Sequence, residues 1–349
     1  MQLLEINTEK TWRGGEKQTL LTAQGLKAKG VHVAILCRKD HPLARKAKKN
    51  DITCHEITGQ VHAIIFLALH GRSYDIIHVQ TAKAQGFAVF TKPFHKKKIV
   101  YTRRVDFTPR GYPARFKFRF TDKVVAISHA IADILETFGV RTDKVIPSAI
   151  DLNASPSLCP PKIRESILKE KKSGKKIILT IAAQVPHKDP RTMLKAIQIL
   201  HARHDNVIFL HCGSGELERE IREEVYQQNM QEYYKILGFV DNAESLLPLA
   251  DVFVMSSQEE GLGSTVLEAF RYNIPVASTD AGGLKEIVPS NGLASPVHDA
   301  KALAQNIHTL LTDTQLREQL TKRAHAYVTR YHSRDTMVEH YIALFEQMT

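Results

Sequence analysis

The sequence predicts an α/β protein of two Rossmann-like, doubly wound domains facing a cleft. Three observations lead there. At 349 residues the chain suits about two domains. Short β-branched runs alternate with helical stretches in both halves, the pattern of a parallel sheet covered on both faces. A Pro-, Ser- and Lys-rich stretch at 153–176 separates the two series and reads as a linker plus a leading helix. The expected bounds are 1–155 for the first domain and 156–332 for the second.

The first series opens with "QLLEIN" as a strand and a loop holding Gly14 and Gly15. A helix through "EKQTLLTAQGLKAKG" follows, with Leu20, Leu21, Ala23 and Leu26 on one face and an end near Gly30. "VHVAILC", "DIIHV" (75–79), "KIVYT" (98–102) and "KVVAIS" (123–128) are the next strands. "AIIFLAL" at 63–69 is the longest apolar run and reads as the core of a strand or helix, far short of the roughly 20 apolar residues of a membrane span.

The second series runs "IILTIAA" (177–183), a helix near 190–204, "VIFLHCG" (207–213), a helix near 216–229 and "YKILGFV" (234–240). A short helix near 242–249, "DVFVMSS" (251–257), "PVASTD" (275–280), "GGLKEIV" (282–288) and "GLASPV" as an edge strand follow, then two helical stretches. Neither a solenoid-period repeat nor a low-complexity tract is visible.

Composition narrows the class. The chain is 43% hydrophobic and 24% charged, ordinary for a globular protein. "MQLLEINTEK" shows no charged n-region or cleavage site, so a secretory signal is not expected. Cys37, Cys54, Cys159 and Cys212 have no C-x-x-C spacing and read as reduced cytosolic thiols. The charge is uneven: residues 1–155 hold 26 Lys+Arg against 13 Asp+Glu, a net of +13, and residues 156–349 hold 22 against 24, a net of −2. The first half is therefore expected to meet an anionic partner, such as a glycolipid or a membrane surface; a merely solvated basic surface is the plain alternative.

In a doubly wound sheet ligands bind beyond the carboxyl ends of the strands, so the post-strand loops hold the candidate residues. Gly14-Gly15 opens the first helix, where a phosphate or sugar could approach the backbone. It is not G-x-G-x-x-G, and an ordinary loop pair accounts for it equally well. "QVPHKDP" brings Gln184 and Lys188, an ammonium that could meet a diphosphate. "CGSGE" brings Gly213 and Gly215, which also suit a simple turn. "EEGLGSTVLEAF" (259–270) brings more. Gly263, Ser264 and Thr265 start a helix whose free N–H groups can hold a diphosphate, with a hydroxyl as cap. Glu260 stands before that helix and Glu268 lies on the face of Thr265. A carboxylate accepts two hydroxyls at once, which suits sugars, so this element describes a nucleotide-sugar site. An acidic residue favoured by the helix dipole is the alternative. Gly282-Gly283 precede another helix whose free amides are expected at the same cleft.

The 17 histidines are dispersed, and His78 reads as structural. No H-E-x-x-H, G-x-S-x-G or P-loop is present, so metal or serine-nucleophile chemistry is not expected.

From "EEGLGSTVLEAFRYNIPVASTDAGGLKEIV", with "VVAISHAIADIL", "PSAID", "PHKD", "CGSGELE" and "LGFVDN", the chain resembles retaining glycosyltransferases of the GT-B fold, family 4, over nearly its whole length. The resemblance implies a donor-binding second half and an acceptor-binding first half. Glu260 would contact the transferred sugar, Glu268 the ribose, and Lys188 the diphosphate, while Phe239 and Val240 would line the nucleobase. It also implies metal-independent catalysis with no cofactor beyond the nucleotide-sugar donor, and a last helix at 333–349 that returns to the first domain. The family often has His after the strand reading "VYTRRVDF"; Arg103 and Arg104 stand there and are expected to meet acceptor or donor phosphate. The expected activity is transfer of one sugar, with retention, to a lipid-linked or lipopolysaccharide-type acceptor, in the cytoplasm or on the inner membrane face. An epimerase or a soluble-acceptor synthase of the same fold is the alternative. A nucleic-acid partner is not expected: "RFKFRF" (115–120) interleaves basic and aromatic residues, but no DNA-reading motif occurs.

Overall fold

Valine- and isoleucine-rich runs buried on both faces form strands here because a parallel sheet sandwiched by helices leaves neither face wet. The structure, a computed structural model, describes residues 1–153 and 159–349; positions 154–158 of the expected linker lie outside them. The chain divides into two units, Met1–Asp151 with Tyr331–Thr349, and Leu152–Arg330.

The first unit runs β1 (Gln2–Ile6), α1 (Gly14–Ala28), β2 (His32–Arg38), α2 (Pro42–Lys49), β3 (Thr53–Ile57), α3 (Gln60–His70), β4 (Ile76–Val79), α4 (Ala82–His95), β5 (Lys98–Arg103), α5 (Gly111–Arg119), β6 (Lys123–Ala126), α6 (His129–Thr137) and β7 (Lys144–Val145). Its seven strands are parallel in the order β3-β2-β1-β4-β5-β6-β7. The order reverses between β1 and β4, the usual ligand position of such a sheet.

The second unit runs α7 (Pro161–Lys172), β8 (Lys176–Ile181), α8 (Pro190–His201), β9 (Val207–Cys212), α9 (Glu218–Gln227), β10 (Tyr234–Gly238), β11 (Val252–Met255), α10 (Ser264–Arg271), β12 (Val276–Thr279), α11 (Leu284–Ile287), β13 (Leu293–Ser295), α12 (Ala300–Thr312) and α13 (Thr314–Tyr331). Six parallel strands lie in the order β10-β9-β8-β11-β12-β13, with the reversal between β8 and β11. Ile178, Phe209 and Val254 of the sheet pack with Met193 and Ile197 of α8 and Leu303 and Ile307 of α12.

The final helix, α14 (Arg334–Glu346), belongs to the first unit and lies on α1. Val338, Tyr341 and Phe345 join Leu20, Leu26, Ile35 and Val100 in one core. The approach is close at Gly25, where an added Cβ would sit 2.4 Å from Val338 Cγ2 and 3.2 Å from Arg334 Cγ. Tyr341 also ends a buried relay. Its hydroxyl lies 2.9 Å from Thr102 Oγ1, which is 2.8 Å from His78 Nε2, and His78 Nδ1 is 2.8 Å from Glu5 Oε1. His78 is thus a fully partnered core histidine.

Three sequence expectations change. β3, "TCHEI", and the two-residue β7 were not anticipated, because their mixed composition carries no alternating pattern. Three helices, α12, α13 and α14, follow the last strand rather than two. "AIIFLAL" lies in α3, yet Ile65 and Leu69 point outward, so it is core on one face only. All four cysteines are free thiols, and among the described residues no helix is long and apolar enough to cross a membrane.

Gly25→Leu tests the seating of α14. The added side chain must displace Val338, which is expected to cost about 1–3 kcal/mol and lower the thermal midpoint of the first unit. An unchanged midpoint by circular dichroism would show that α14 does not rest there.

Candidate active site

The post-strand loops of the second unit are stitched to one another through their main chains. Gly213 N–H donates to Gly238 O at 2.7 Å, Gln184 N–H to Ser214 O at 3.3 Å, and Leu217 N–H to Gln184 O at 2.9 Å. Gln258 N–H donates to His187 O at 3.0 Å, and Gly283 N–H to Glu260 O at 2.8 Å. The loops after β8, β9, β11 and β12 and the end of β10 thereby form one connected rim.

This contact explains the glycines. A Cβ on Gly213 would lie 2.0 Å from Ala182 O, and one on Gly215 2.2 Å from Gln184 O. On Gly282 it would lie 2.2 Å from Glu260 O, and on Gly283 2.4 Å from Gly261 O. On the side where a Cβ would stand, the group that comes close to these glycines is the neighbouring loop. The Gly283 amide is not free either. Besides the Gly283 bond, Leu284 N–H donates to Ala281 O at 2.8 Å, and α11 is a single turn.

Lys188 closes a 3₁₀ turn, Pro186–Lys188, between β8 and α8. Asp189, at φ +45°, then caps α8: its carboxylate accepts from Thr192 N–H at 3.1 Å and Thr192 Oγ1 at 2.6 Å, with His298 Nδ1 at 2.7 Å. Ser256 Oγ, just past β11, donates to Lys188 O at 3.0 Å and Asp189 O at 2.9 Å. The ammonium so placed forms an ion pair with Glu260, both side chains mostly buried. Ser257 Oγ lies 3.5 Å from the same Glu260 oxygen. Sequence reasoning passed over Asp189 and Ser256 as positioning residues. The signal was present for Asp189: an aspartate directly before a proline at the first helical position is a capping signature.

The chain enters α10 through Gly263, at φ +89°. Gly263 is the cap, and no side-chain hydroxyl caps this helix, contrary to the expectation for Ser264 or Thr265. Val266 and Leu267 N–H both return to Gly263 O, at 2.9 and 3.2 Å. The amides of Ser264 and Thr265 have no acceptor among the described residues, which leaves two donors at the positive end of the helix. Glu268, one turn on, is buried, with Arg271 Nη1 at 3.5 Å from its carboxylate. Phe239, directly after β10, is 75% exposed, and Val240 beside it is half-buried.

Gln184 differs from expectation. It is fully buried, and its Nε2 donates to Gly213 O at 2.9 Å, so the side chain braces two loops instead of facing a ligand. Its Oε1 has no donor among the described residues, a costly state for a buried acceptor.

Gly14, Gly15, Arg103 and Arg104 belong to the first unit. Gly14 and Gly15 are the first residues of α1 rather than a preceding loop, and a Cβ on Gly15 would meet nothing within 4 Å. Arg103 is buried, its guanidinium bonded to Phe107 O and 5.3 Å from the Phe107 ring centre; it braces its own loop and does not stand out toward a ligand. Arg104 Nε donates to Gln80 Oε1 and Nη1 to Ser148 Oγ, both at 3.0 Å. Burial pulls its guanidinium below the ordinary arginine value.

Residues 12–154 match the model "Glycosyltransferase Family 4" and residues 162–327 the model "Glycosyl transferases group 1". The chain belongs to glycosyltransferase family 4. It is similar to the lipopolysaccharide core biosynthesis glycosyltransferase LpsE of Rhizobium meliloti, at 26% identity over 67% of each chain. It is also similar to a Campylobacter jejuni N-acetylgalactosaminyltransferase acting on a diphospho-undecaprenol-linked saccharide, at 26% identity over 57% of this chain and 56% of that one. Among solved structures, HepE of Anabaena with UDP and glucose superposes at a TM-score of 0.87, with 18% identity over 99% of this chain and 100% of the other. The family 4 enzyme thus has the GT-B glycosyltransferase fold of two Rossmann-like units. Among its described residues no group of three or more side chains could hold a metal ion.

The floor of the rim carries a pH dependence. His211, near the end of β9, has Nε2 3.3 Å from Ala182 O and Nδ1 3.3 Å from the Tyr234 hydroxyl. Burial depresses its pKa from 6.5 to about 4. The unfolded chain therefore binds the extra proton first, so stability is complete above about pH 6.5 and falls as pH drops toward 4, by up to about 3 kcal/mol. Thermal midpoints measured across that window should fall for the native enzyme and fall less for His211→Gln. Equal slopes would remove His211 as the cause.

Proposed function

We propose that the enzyme moves one sugar from a nucleoside-diphosphate donor to a lipid-linked or lipopolysaccharide-type acceptor, with retention at the anomeric carbon and without a metal. The observation that carries the donor site is the Lys188–Glu260 ion pair in the loops that lead into α8 and α10, with two unpartnered amides at the start of α10. An ammonium and a helix N-terminus suit a diphosphate, and a carboxylate suits sugar hydroxyls.

The pair is mutually neutralised while the site is empty. On donor binding Lys188 exchanges its carboxylate partner for the diphosphate, and Glu260 is released to accept hydroxyls of the transferred sugar. Glu268, a turn into α10, takes the ribose, and the exposed Phe239 lies against the base. The diphosphate leaves from the face that the acceptor hydroxyl attacks. The protein acts by positioning and by stabilising the leaving group, with Lys188 and the Ser264 and Thr265 amides as the cationic wall.

Named relatives support the acceptor class: one serves lipopolysaccharide core synthesis and another acts on an undecaprenol-linked saccharide. The solved HepE structures hold UDP or UDP-glucose, which supports a uridine donor as the first to test. The basic first unit suits an anionic lipid or glycolipid, which supports peripheral attachment to the cytoplasmic face of a membrane.

The exchange of partners separates two constants. Glu260→Gln should lower transfer at least about a hundredfold while nucleoside diphosphate affinity is held or rises, because a competing carboxylate is gone. Glu268→Gln should weaken donor binding about tenfold, the value of one charge-assisted hydrogen bond. Thermal shifts with UDP and with a nucleotide-sugar panel read affinity, and proton NMR of the product reads anomeric configuration. Normal transfer by both variants, or an inverted product, defeats the assignment.

A further inference from the structure

Helices α3, α4 and α5 cover one face of the first sheet, and each carries a second apolar stripe on its outer side. In α3 the stripe is Val61, Ile65 and Leu69, exposed by 70, 50 and 69%. In α4 it is Phe90 and Phe94, and along α5 it is Tyr112, Phe116 and Phe120. Each set has the i, i+4 spacing that keeps side chains on one line of a helix. Nine of the twelve large apolar side chains exposed among the described residues lie between Val61 and Phe120.

The three helices lie side by side. Arg72 Nε donates to Phe94 O at 2.6 Å, joining the end of α3 to that of α4. Lys92 Nζ donates to Phe120 O and Lys117 Nζ to Ala82 O, both at 2.9 Å, which clips α5 along α4. The Phe116 and Phe120 rings are 4.8 Å apart in the open. Residues 60–120 also hold twelve Lys and Arg against two Asp and Glu; Arg103 and Arg104 are bonded within the fold, which leaves ten basic residues for the rest of the segment. The apolar stripes and the positive excess thus share one segment.

At the α5 end, a groove of about 460 Å³ is lined by Arg115, Arg119 and Arg141 with Phe118 and Phe138. Its one carboxylate, Asp143, already accepts from Lys123 Nζ and from Val124 N–H, both at 2.8 Å, so the arginines keep their charge for an incoming anion. Aromatic side chains with a rim of arginine and lysine match the boundary between lipid headgroups and acyl chains, where rings sit shallowly and guanidinium groups meet phosphate. Contiguous apolar surface of this kind marks an interaction site.

We propose that the outer face of α3–α4–α5 inserts shallowly into an anionic bilayer, with Val61, Leu69, Phe90, Phe94 and Phe116 among the acyl ends of the headgroup layer. The proposal rests on the lipid-linked acceptor reading and adds the face and the mode of contact. A basic surface alone touches a membrane through screened charge; this face adds a term that salt does not screen.

The test is sedimentation with phosphatidylglycerol-containing vesicles, against phosphatidylcholine vesicles, at low salt and at roughly 1 M, where the Debye length is about 3 Å. The native enzyme should bind the anionic vesicles and keep a fraction bound in high salt. Phe90→Ser with Phe94→Ser and Phe116→Ser should abolish that fraction and cut partitioning at least about tenfold at low salt. The chain has one tryptophan, so Phe90→Trp in a Trp12→Phe background gives a local probe whose emission should shift to the blue on binding. Binding wholly lost in salt, serine variants that bind as well as the native enzyme, or a probe without a shift would each overturn the insertion. A lipid-free dimer that the serine substitutions dissolve would give the face to a second copy of the chain. Thermal shift with UDP, in the native enzyme and the serine variants, reads the donor site apart from the lipid: loss of that response with docking intact removes the transferase reading and leaves the face.

Discussion

The rim of post-strand loops in the second unit depends on backbone-to-backbone contact between loops that are far apart in sequence. Carbonyls of Ala182, Gln184, Glu260 and Gly261 come so near the loops opposite that only glycine fits at 213, 215, 282 and 283. Each contact removes freedom from a loop that would otherwise move, because a hydrogen-bonded main chain with a glycine under it has one way to pack. Lys188 and Glu260 are carried by this lattice: the His187 carbonyl accepts from Gln258 and Glu259, and the Glu260 carbonyl accepts from Gly283. The charged side chains therefore meet at fixed positions although every residue involved lies in a loop. Function placed on loops needs such support, since a displacement of an ångström is costly in catalysis.

The ion pair shows why that rigidity has value. Two mostly buried charges are expensive to leave unpaired, and their mutual attraction offsets the loss of water only with good geometry. An enzyme that must present a cation to a diphosphate faces this cost whenever the site is empty. In the proposed reaction, pairing Lys188 with Glu260 meets it with a carboxylate that has its own use once the donor arrives. The two unpartnered amides of α10 cost less, because half-buried Ser264 and Thr265 leave water within reach of that helix end.

How much of this was legible in the sequence follows from the range of each interaction. Strands such as "VIFLHC" and "VFVM" declare themselves because burial on both faces writes a continuous apolar run. Glu260, Gly263 and Glu268 were legible because a strand end, a left-handed glycine and a helix start are local features. The pairing of Lys188 with Glu260 was not, since it joins residues 72 apart. Gly213 and Gly282 were legible as points of close backbone approach, but the loop that packs there was not: a single loop shows that a backbone can be approached, not what approaches it. Gln184 and Arg103 are likewise polar side chains whose sequence positions fit a ligand and whose partners in the fold are main-chain carbonyls, which no local pattern foretells.

The first unit presents the opposite difficulty. Its sheet is covered on one side by α1, α2 and α14, and there the apolar side chains of α14 close over α1. The other side ends at α3, α4 and α5, whose outer stripes have the same period as inner ones, so the pattern alone cannot assign a direction. In α3, Ala63 and Leu67 turn inward while Val61, Ile65 and Leu69 turn outward, which makes the helix apolar nearly all round. A helix of that kind is ordinarily buried. Its exposure in a segment rich in lysine and arginine is hard to reconcile with folding stability, to which neither feature contributes: exposed phenylalanine gains nothing from the core, and like charges repel. Both are explained together if that surface meets an anionic apolar phase, because the features that are unfavourable in water are the ones such a phase rewards.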